Sequence, residues 1–285
     1  MTDGRPLDTA RALLFTPANR PDRFPKAAAT GADALILDLE DAVADAGKAA
    51  ARVALLDHFA GDWRAILQPG QICGLRVNNI HTAHGLADLA ALVARGTRPG
   101  FVLVPKVESA FEVRLYARHL PGVPLLPAIE SARGVEAAID IATADRAVQG
   151  LAFGGADLAL DLRATMSWEA LYAARARIVQ AAAIAGIAAI DVPHFVLDDA
   201  DALGADAARV KAMGFTGKLA IHPKQVGPIA AVFTPTPDEV AAAREIVAAL
   251  AAAGGNAVEH RGRMVEGPVV KAAQRVVALA IRGAE

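Results

Sequence analysis

The sequence is poor in cysteine and has no long uninterrupted apolar run. Its single cysteine, Cys73, excludes an intramolecular disulfide and a zinc cluster built on cysteines. Although 54% of the residues are hydrophobic, charged residues or glycine interrupt every apolar run before it reaches the ~18 residues that a membrane span requires. The N-terminal stretch also lacks the basic end and apolar core of a signal peptide. We therefore expect a cytoplasmic protein without a membrane partner.

The charge balance and the glycine pattern argue against several further classes of protein. There are 29 basic and 31 acidic residues, so no global field attracts nucleic acid or an anionic surface. The pair Gly154 and Gly155 has neither the spacing of a dinucleotide-binding motif nor that of a P-loop. We therefore expect no nucleic-acid partner. Without either motif, the sequence gives no support for hydride transfer or nucleotide hydrolysis.

Eight short apolar runs alternate with segments of helical spacing, as in repeated βα units. The runs are apolar nearly throughout, which is typical of parallel strands that are buried on both faces. Eight such units predict an α/β protein of the TIM (β/α)8 barrel class, and we assign residues 1–234 to this catalytic barrel. The runs are residues 12–16, 34–39, 72–77, 101–104, 125–129, 151–153, 188–192 and 218–221.

Two further helices are predicted after the eighth unit. Thr236, Pro237 and Glu239 form a capping box with proline at the first helical position, and this helix is predicted to continue to about Gly254. The last helix is predicted from about Gly267 to Arg282. We assign residues 235–285 to a C-terminal helical extension, which is expected to pack on a neighbour or to cover the active site.

Polar residues concentrate at the carboxyl ends of the predicted strands, where TIM barrels carry their active sites. Seven of the eight strands end in or lead to such a residue. Helix caps or loop carboxylates explain one or two of these positions, but they do not explain the whole set. The residues are Asp38, Glu40, Asp41, Arg76, Asn78, Asn79, Lys106, Glu108, Glu130, Asp157, Asp191 and His222.

Glu130 and Asp157 follow adjacent strands, the fifth and the sixth, and their carboxylates are expected to approach each other above the barrel. Two carboxylates without a nearby histidine or cysteine suit Mg²⁺, which keeps coordination sites for water or substrate oxygen. The alternative is that each residue caps the helix that follows it.

Two cations at strand ends have two interpretations each. Arg76 closes an apolar strand, where a guanidinium is costly to bury unless it is paired. It is either a clamp for a substrate oxyanion or the partner of Asp38, Glu40 or Glu108. Lys106 either forms a Schiff base with a carbonyl substrate or pairs with Glu40 or Glu108.

These stretches together resemble the citrate lyase β-subunit family within the aldolase and citrate lyase superfamily, which includes relatives that cleave malyl-CoA and citramalyl-CoA. The resemblance covers nearly the whole chain. The matching stretches are RALLFTP (residues 11–17), ILDLEDAV (36–43), LRVN (75–78), VPKVES (104–109), IESARG (129–134), GGADL (154–158), GKLAIHP (217–223) and MVEGP (264–268).

The resemblance implies a TIM barrel in a homotrimer or hexamer, with Mg²⁺ held by Glu130 and Asp157. It also implies that Arg76 contacts a substrate oxygen and that Asp38 and Glu40 support it. Activities in the family include the cleavage of citryl-CoA, citramalyl-CoA, malyl-CoA and methylmalyl-CoA to a short acyl-CoA and an oxo acid.

The C-terminal motif departs from the family pattern. Many relatives carry aspartate where this chain has Glu266, and that carboxylate is thought to transfer a proton in a neighbouring subunit's site. Glutamate keeps the acid on a longer arm, and a misplacement of about 1 Å can cost ~100-fold in rate. Glu266 is thus a candidate proton carrier. Arg20 and Arg23, beyond the first strand, are candidates for binding the CoA phosphates.

We therefore expect a Mg²⁺-dependent carbon–carbon lyase acting on a short 3-hydroxy-acyl-CoA, with Lys106 also near the substrate. Three alternatives stay open. The first is a class II aldolase that acts on free hydroxy-oxo acids and uses His222 as its base. The second is a Schiff-base aldolase that uses Lys106. The third is a catalytically idle subunit that binds an acyl-CoA or an acyl-carrier partner.

Overall fold

The computed structural model describes residues 6–254 and 256–282. The chain forms two compact units, one that ends at Ala230 and one that begins at Ala231. No helix among these described residues is both long and apolar enough to cross a membrane.

The first unit is a closed barrel of eight parallel strands in which sequential strands pair and β1 also pairs with β8. This confirms the predicted TIM barrel, and every strand begins and ends close to its predicted run. All but a few strand residues are buried, as expected for a sheet with helices outside and side chains inside. The strands are β1 (Ala12–Pro17), β2 (Ala34–Asp38), β3 (Ile72–Arg76), β4 (Val102–Val104), β5 (Leu125–Ile129), β6 (Gly150–Phe153), β7 (Ala188–Asp191) and β8 (Gly217–Ala220).

Within the described residues, ten α-helices follow or connect these strands, and the boundary between the two units falls in the last of them. They are α1 (Phe24–Ala28), α2 (Asp45–Ala60), α3 (Ala83–Arg95), α4 (Ala110–His119), α5 (Ala132–Glu136), α6 (Ala138–Ala142), α7 (Gly155–Asp161), α8 (Trp168–Ala185), α9 (Ala200–Met213) and α10 (Val226–Phe233). Short 3₁₀ helices occupy Pro6–Thr9, Pro21–Arg23, Trp63–Ile66 and Pro223–Gln225.

Helix α8 illustrates how local sequence sets the ends of these elements. The Ser167 side chain accepts a hydrogen bond from the Ala170 amide, which satisfies one of the free N–H groups at the start of the helix. Gly186 ends the helix with a left-handed backbone at φ 65°, a conformation that side chains with a Cβ disfavour. Ser167 and Gly186 therefore set the two ends of α8.

The interior of the barrel is filled by apolar side chains from successive strands. Leu13, Ile36, Leu103, Leu126 and Leu219 belong to this buried cluster. Phe101 lies so close to β3 that a Cβ built at Gly74 would come within 2.6 Å of its ring. Glycine is therefore required at this position for the ring to fill the base of the core.

A buried ion network lies between the last two strands and the helices that cover them. Lys218 is fully buried, and its Nζ lies 2.7 Å from an Asp206 carboxylate oxygen while also donating to Asp191. Arg175 of α8 donates to the other Asp191 oxygen at 2.9 Å. Burial raises the pKa of Asp206, but the charge and the hydrogen bond of Lys218 outweigh burial, so the pKa is lowered.

The second unit contains helices α11 (Pro237–Ala252) and α12 (Gly267–Arg282), joined through a two-stranded antiparallel hairpin. The predicted capping box is present: the Thr236 hydroxyl accepts the Glu239 amide hydrogen, and the Glu239 carboxylate accepts the Thr236 amide hydrogen. The hairpin strands, β9 (Val258–His260) and β10 (Arg263–Val265), were not predicted from the sequence. The turn residues Arg261 and Gly262 both have positive φ, as in a type I′ turn. The separate roles assigned to the two units stay a prediction.

The burial of Cys73 predicts an unreactive thiol. Burial raises the pKa of Cys73 to about 12, which lowers its thiolate fraction near pH 8 by roughly 1000-fold relative to an ordinary cysteine. We expect the folded protein to react with Ellman's reagent far more slowly than the protein in guanidinium, where one thiol per chain should react. Rapid reaction of the folded protein would show that β3 opens readily.

Candidate functional site

A cavity of about 370 Å³ opens at the carboxyl ends of the barrel strands. Its charged residues follow β2, β3, β5 and β6, whereas the residues that follow β7 and β8 are apolar. This division leaves one acidic wall and one hydrophobic wall. The lining comprises Phe15, Pro17, Asp38, Asp41, Ala42, Arg76, Leu103, Ala128, Glu130, Ala152, Phe153, Gly154, Ala156, Asp157, Val192, Pro193, Phe195, Leu219 and Ile221.

Asp38 and Arg76 form the central ion pair of the acidic wall. They are the last residues of β2 and β3, and the strand register places them side by side. Arg76 Nε and Nη2 donate to the two Asp38 carboxylate oxygens at 2.7 and 2.6 Å, a bidentate geometry. Asp38 also accepts the amide hydrogens of Glu40 and Ala42, which fixes the loop after β2.

Two further carboxylates surround the Arg76 guanidinium. Nη1 donates to Asp41 at 3.1 Å and lies 3.0 Å from Glu40 Oε2, and the guanidinium stacks 4.6 Å from the Phe15 ring centre. Burial opposes the charge, but the hydrogen bonds and charge of Asp38, with Glu40 and Asp41, outweigh it and raise the pKa of Arg76. The predicted ion pair with Asp38 and Glu40 is therefore present, and Arg76 stays a cation.

Lys106 lies on the opposite side of Glu40. Its Nζ donates to Glu40 Oε1 at 2.9 Å and lies 3.9 Å from an Asp157 oxygen. Burial lowers its pKa, but the charge of Glu40 outweighs that effect and the pKa of Lys106 is raised. A lysine that forms a Schiff base needs a lowered pKa. This geometry disfavours that alternative and supports the ordinary pairing with Glu40.

Glu130 is held by the backbone of two neighbouring strand ends. Its Oε2 accepts the Lys106 amide hydrogen at 2.9 Å, and Lys106 adopts a left-handed backbone with φ 52°. The Glu130 side chain lies over Gly154, where a built Cβ would come within 2.1 Å of its Cγ. Burial first, and then the charge of Glu40, raises the pKa of Glu130 to about 8. The charges of Arg76 and Lys106 act in the opposite direction but do not outweigh these two effects.

Glu130 and Asp157 are the carboxylates that could hold a divalent cation. Asp157 lies in the first turn of α7, three residues after Gly154, and its side chain is 41% exposed. The described part of the chain contains no group of three histidine, cysteine or acidic residues suited to a metal. A cation held by two carboxylates would leave most of its coordination sites to water or substrate oxygen, which suits Mg²⁺. The carboxylates, the glycine gap and the raised pKa all fit such a cation.

Several predicted strand-end residues lie outside the cavity lining. Asp191 points toward the helices and binds Arg175 and Lys218. Asn78 donates to Asp88 at 2.7 Å. His222 accepts the Lys224 amide hydrogen through Nδ1 and so caps the 3₁₀ helix that follows.

Glu108 and the remaining candidates also lie away from the central cluster. Glu108 accepts the Ser131 hydroxyl at 2.7 Å, so it does not partner Arg76 or Lys106. Arg20 and Arg23 are exposed, and Arg20 already forms a bidentate pair with Asp22. Glu266 is exposed in the second unit, directly before α12.

Two residues of the site were not singled out by sequence reasoning. Gly154 follows β6 directly, but only the packing of Glu130 shows why it is glycine. Phe15 reads as an ordinary strand residue, because its contact with Arg76 depends on barrel closure.

The fold and the cavity define a class of protein before any comparison is made. A closed (β/α)8 barrel carries its catalytic residues at the carboxyl ends of its strands. Here that end holds a buried carboxylate, a second carboxylate in the helix after the next strand and a fully charged guanidinium. Such a set is suited to binding and polarising an oxygen-rich small molecule, so the protein belongs to the TIM-barrel enzymes with an acidic, cation-ready site.

The chain belongs to the HpcH/HpaI aldolase/citrate lyase family, whose model matches residues 11–223. It is 36% identical over 271 residues to a citrate lyase subunit beta-like protein of Mycobacterium tuberculosis, which covers 93% of each chain. It is 33% identical over 307 residues to the L-malyl-CoA/beta-methylmalyl-CoA lyase of Cereibacter sphaeroides, which covers 95% of each. The predicted family and the predicted enzyme class, a lyase, are confirmed.

A solved structure of a relative matches the fold over nearly the whole chain. This is the protein CitE from Mycobacterium tuberculosis, in complex with magnesium, acetoacetate and coenzyme A. It is 35% identical, has a TM-score of 0.80 and covers 96% of this chain and 99% of that chain. The likeness therefore extends to the second unit as well as the barrel.

The central ion pair predicts a large loss of stability when it is broken. Asp38→Asn should lower the free energy of unfolding by about 3 kcal/mol, because the buried Arg76 charge loses its bidentate partner. Asp57→Asn removes an exposed pair with Arg95 and should cost less than about 1 kcal/mol. Urea unfolding of both variants measures the difference. Equal losses would contradict the importance of the central pair.

Proposed function

We propose that this protein is a Mg²⁺-dependent lyase that cleaves the C2–C3 bond of a short 3-hydroxy-acyl-CoA. The observation that carries the proposal is that one cavity is lined by a buried carboxylate, Glu130, by Asp157 in the helix after the next strand, and by a fully charged Arg76. The relatives named as malyl-CoA and citrate lyases support the reaction class. The relative bound to magnesium, acetoacetate and coenzyme A supports both the metal and the thioester.

Glu130 and Asp157 would hold the Mg²⁺. When bound, the ion supplies Lewis acidity to the hydroxyl and carboxylate oxygens of the substrate. Glu130 has its position fixed by the Lys106 amide and by the gap above Gly154. Lys106, paired with Glu40, keeps a positive charge at the edge of this acidic wall. The chain thus holds Glu130 in place and leaves the substrate to complete the site.

Arg76 is proposed to stabilise the charge that develops on the substrate. As the C2–C3 bond breaks, the C3 hydroxyl loses its proton to solvent and becomes the carbonyl of the oxo acid. The electron pair of the broken bond passes to C2 as a thioester enolate, which then takes up one proton to give the acyl-CoA. Asp38 and Asp41 hold the guanidinium in place, so it does not need to reorganise as that charge appears.

We also propose roles for three residues that do not line the cavity. Glu266 is the candidate that protonates C2, and we expect it to act in a homotrimer or hexamer, as the family resemblance implies. Arg20 and Arg23 are proposed to contact the CoA phosphates. Arg20 would exchange its exposed pair with Asp22 for such a phosphate, which is a small cost because exposed ion pairs are weak.

The proposed activity is tested by acetyl-CoA release from citramalyl-, malyl- and citryl-CoA, each with Mg²⁺ and with EDTA. We expect release from at least one thioester with Mg²⁺ and none with EDTA. Cleavage of a free hydroxy-oxo acid instead would favour the class II aldolase. Release that EDTA does not inhibit, with borohydride trapping of Lys106, would favour the Schiff-base aldolase. The absence of any reaction with every substrate would favour a catalytically idle binding subunit.

The role of Arg76 predicts a specific loss of activity. Arg76→Lys keeps the charge but loses the bidentate geometry, and kcat should fall by at least about 100-fold. Arg52→Lys is the matched control, because Arg52 forms a comparably buried pair with Asp88 and does not line the cavity. Steady-state kinetics should leave the control within a few fold of the parent. An unchanged kcat in Arg76→Lys would remove Arg76 from the mechanism.

The gap at Gly154 predicts a loss of metal binding without a change of any ligand. Gly154→Ala places a methyl group where the Glu130 side chain lies, so the carboxylate must move and Mg²⁺ affinity should fall by at least about tenfold. Gly204→Ala in α9 has open space around it and should bind Mg²⁺ normally while gaining up to about 1 kcal/mol of stability. Titration calorimetry measures both. Equal affinities would contradict the assignment of Glu130.

A further inference from the structure

The two proposed metal ligands are fixed in different ways. Glu130 accepts the Lys106 amide hydrogen, which holds its carboxylate directly. The Asp157 side chain is 41% exposed, and Lys106 Nζ lies 3.9 Å from its Oδ1, which is too far for a hydrogen bond. The position of the Asp157 carboxylate therefore depends on the placement of helix α7, whose first turn carries it.

Helix α7 is too short to set its own direction. It has seven residues, Gly155–Asp161, and of these Gly155, Leu158 and Ala159 are buried. Leu158 is the large side chain that packs the helix into the core, whereas Leu160 is 78% exposed. Because an isolated helix of this length is unstable in water, contacts outside the helix must determine its orientation.

Both ends of α7 are hydrogen-bonded to the segment that carries Glu130. Before the helix begins, the Gly154 amide donates to the Ile129 carbonyl oxygen at 3.0 Å. At the last residue of the helix, Asp161 Oδ2 accepts the Ala132 amide hydrogen at 2.7 Å. The residue directly before Glu130 thus holds one end of α7, and a residue just after it holds the other.

The spacing along α7 connects the second hydrogen bond to the metal ligands. Asp157 and Asp161 are four residues apart, so their carboxylates lie on the same face of the helix, one turn apart. Loss of the bond to Ala132 would free the end of α7 and let Asp157 shift relative to Glu130. Mg²⁺ requires a nearly ideal octahedral arrangement of its ligands, so such a shift should weaken its binding.

We propose that Asp161 is a positioning residue for the metal ligands. Its hydrogen bond to the Ala132 amide fixes α7 against the loop after β5 and so sets the separation of the Glu130 and Asp157 carboxylates. Asp161 does not line the cavity, and it acts through Asp157. The inference rests on the proposed Mg²⁺ site and adds a residue that supports it from outside.

Substitutions of Asp161 separate the effect of the hydrogen bond from that of the negative charge. Asp161→Ala removes both, and the Kd for Mg²⁺, measured by titration calorimetry without substrate, should rise about tenfold. Asp161→Asn loses the charge but keeps an oxygen that can accept the Ala132 amide hydrogen, so its Kd should stay within about threefold of the parent's. An unchanged Kd in Asp161→Ala, or an equal rise in Asp161→Asn, would overturn the inference.

Asp145→Ala is the matched control for a purely structural effect. Asp145 is also an exposed residue that accepts a backbone amide hydrogen, from Ala147 at 2.8 Å, and it does not line the cavity. Both alanine variants should lower the urea midpoint by a similar small amount, but only Asp161→Ala should weaken Mg²⁺ binding. Weaker binding in both variants would show that the loss follows stability and would overturn the inference.

The same hydrogen bond can be removed from the donor side. Ala132 is the exposed first residue of α5, and the extended backbone of Ser131 before it is compatible with proline. Ala132→Pro removes the N–H and should weaken Mg²⁺ binding about as much as Asp161→Ala. Ala83→Pro, at the exposed first residue of α3, is its control and should bind Mg²⁺ as the parent does.

The double variant tests whether the two substitutions act on one contact. If they do, Asp161→Ala combined with Ala132→Pro should bind Mg²⁺ no more weakly than the weaker single variant. A loss equal to the product of the two single losses would overturn the inference. A parent that binds Mg²⁺ but cleaves no thioester would contradict the lyase function alone, and the variants would still decide the role of Asp161. A parent that binds no Mg²⁺ would overturn the metal site and the inference together.

Discussion

Five carboxylates gather at the mouth of the barrel, and the charge of Arg76 is what allows them to lie so close together. The guanidinium touches Asp38, Glu40 and Asp41 and offsets much of their mutual repulsion. Lys106 extends the same compensation from Glu40 toward Asp157. Among the described residues Glu130 has only a backbone amide as its donor, and burial, followed by the charge of Glu40, raises its pKa. A bound cation would offset the cost of this buried negative charge, which is why the site is suited to a cation.

Backbone geometry delivers these charges to one place. The register of β2 and β3 sets Asp38 beside Arg76 without any contribution from the loops. The left-handed backbone at Lys106 turns its amide toward Glu130, and a residue with a side chain is held in this sparsely populated region only when its surroundings determine it. Gly154 then leaves room for the Glu130 side chain. Each constraint lies at the end of a strand or directly after it.

Much of this arrangement was predictable from the sequence, and the limits have physical causes. Unbroken apolar runs identified the strands, and their polar ends identified Asp38, Arg76, Glu130 and Asp157 as neighbours. Asp191 was misread as facing the site, because a strand that is buried on both faces gives no alternation to show which way a side chain points. The β9–β10 hairpin was missed because its two strands have only three residues each.

Closure of the barrel joins parts of the chain that are synthesised far apart in time. Strand β1 pairs with β8, so the pairing of Ala12 with Lys218 can form only after Lys218 has left the ribosome. At roughly 5–20 residues per second this delay is about 10–40 seconds. Throughout that time β1 has one edge with unsatisfied N–H and C=O groups, which is a template for incorrect pairing. The open edge of β1 must therefore be kept from pairing with other strands long after the first half of the chain has emerged.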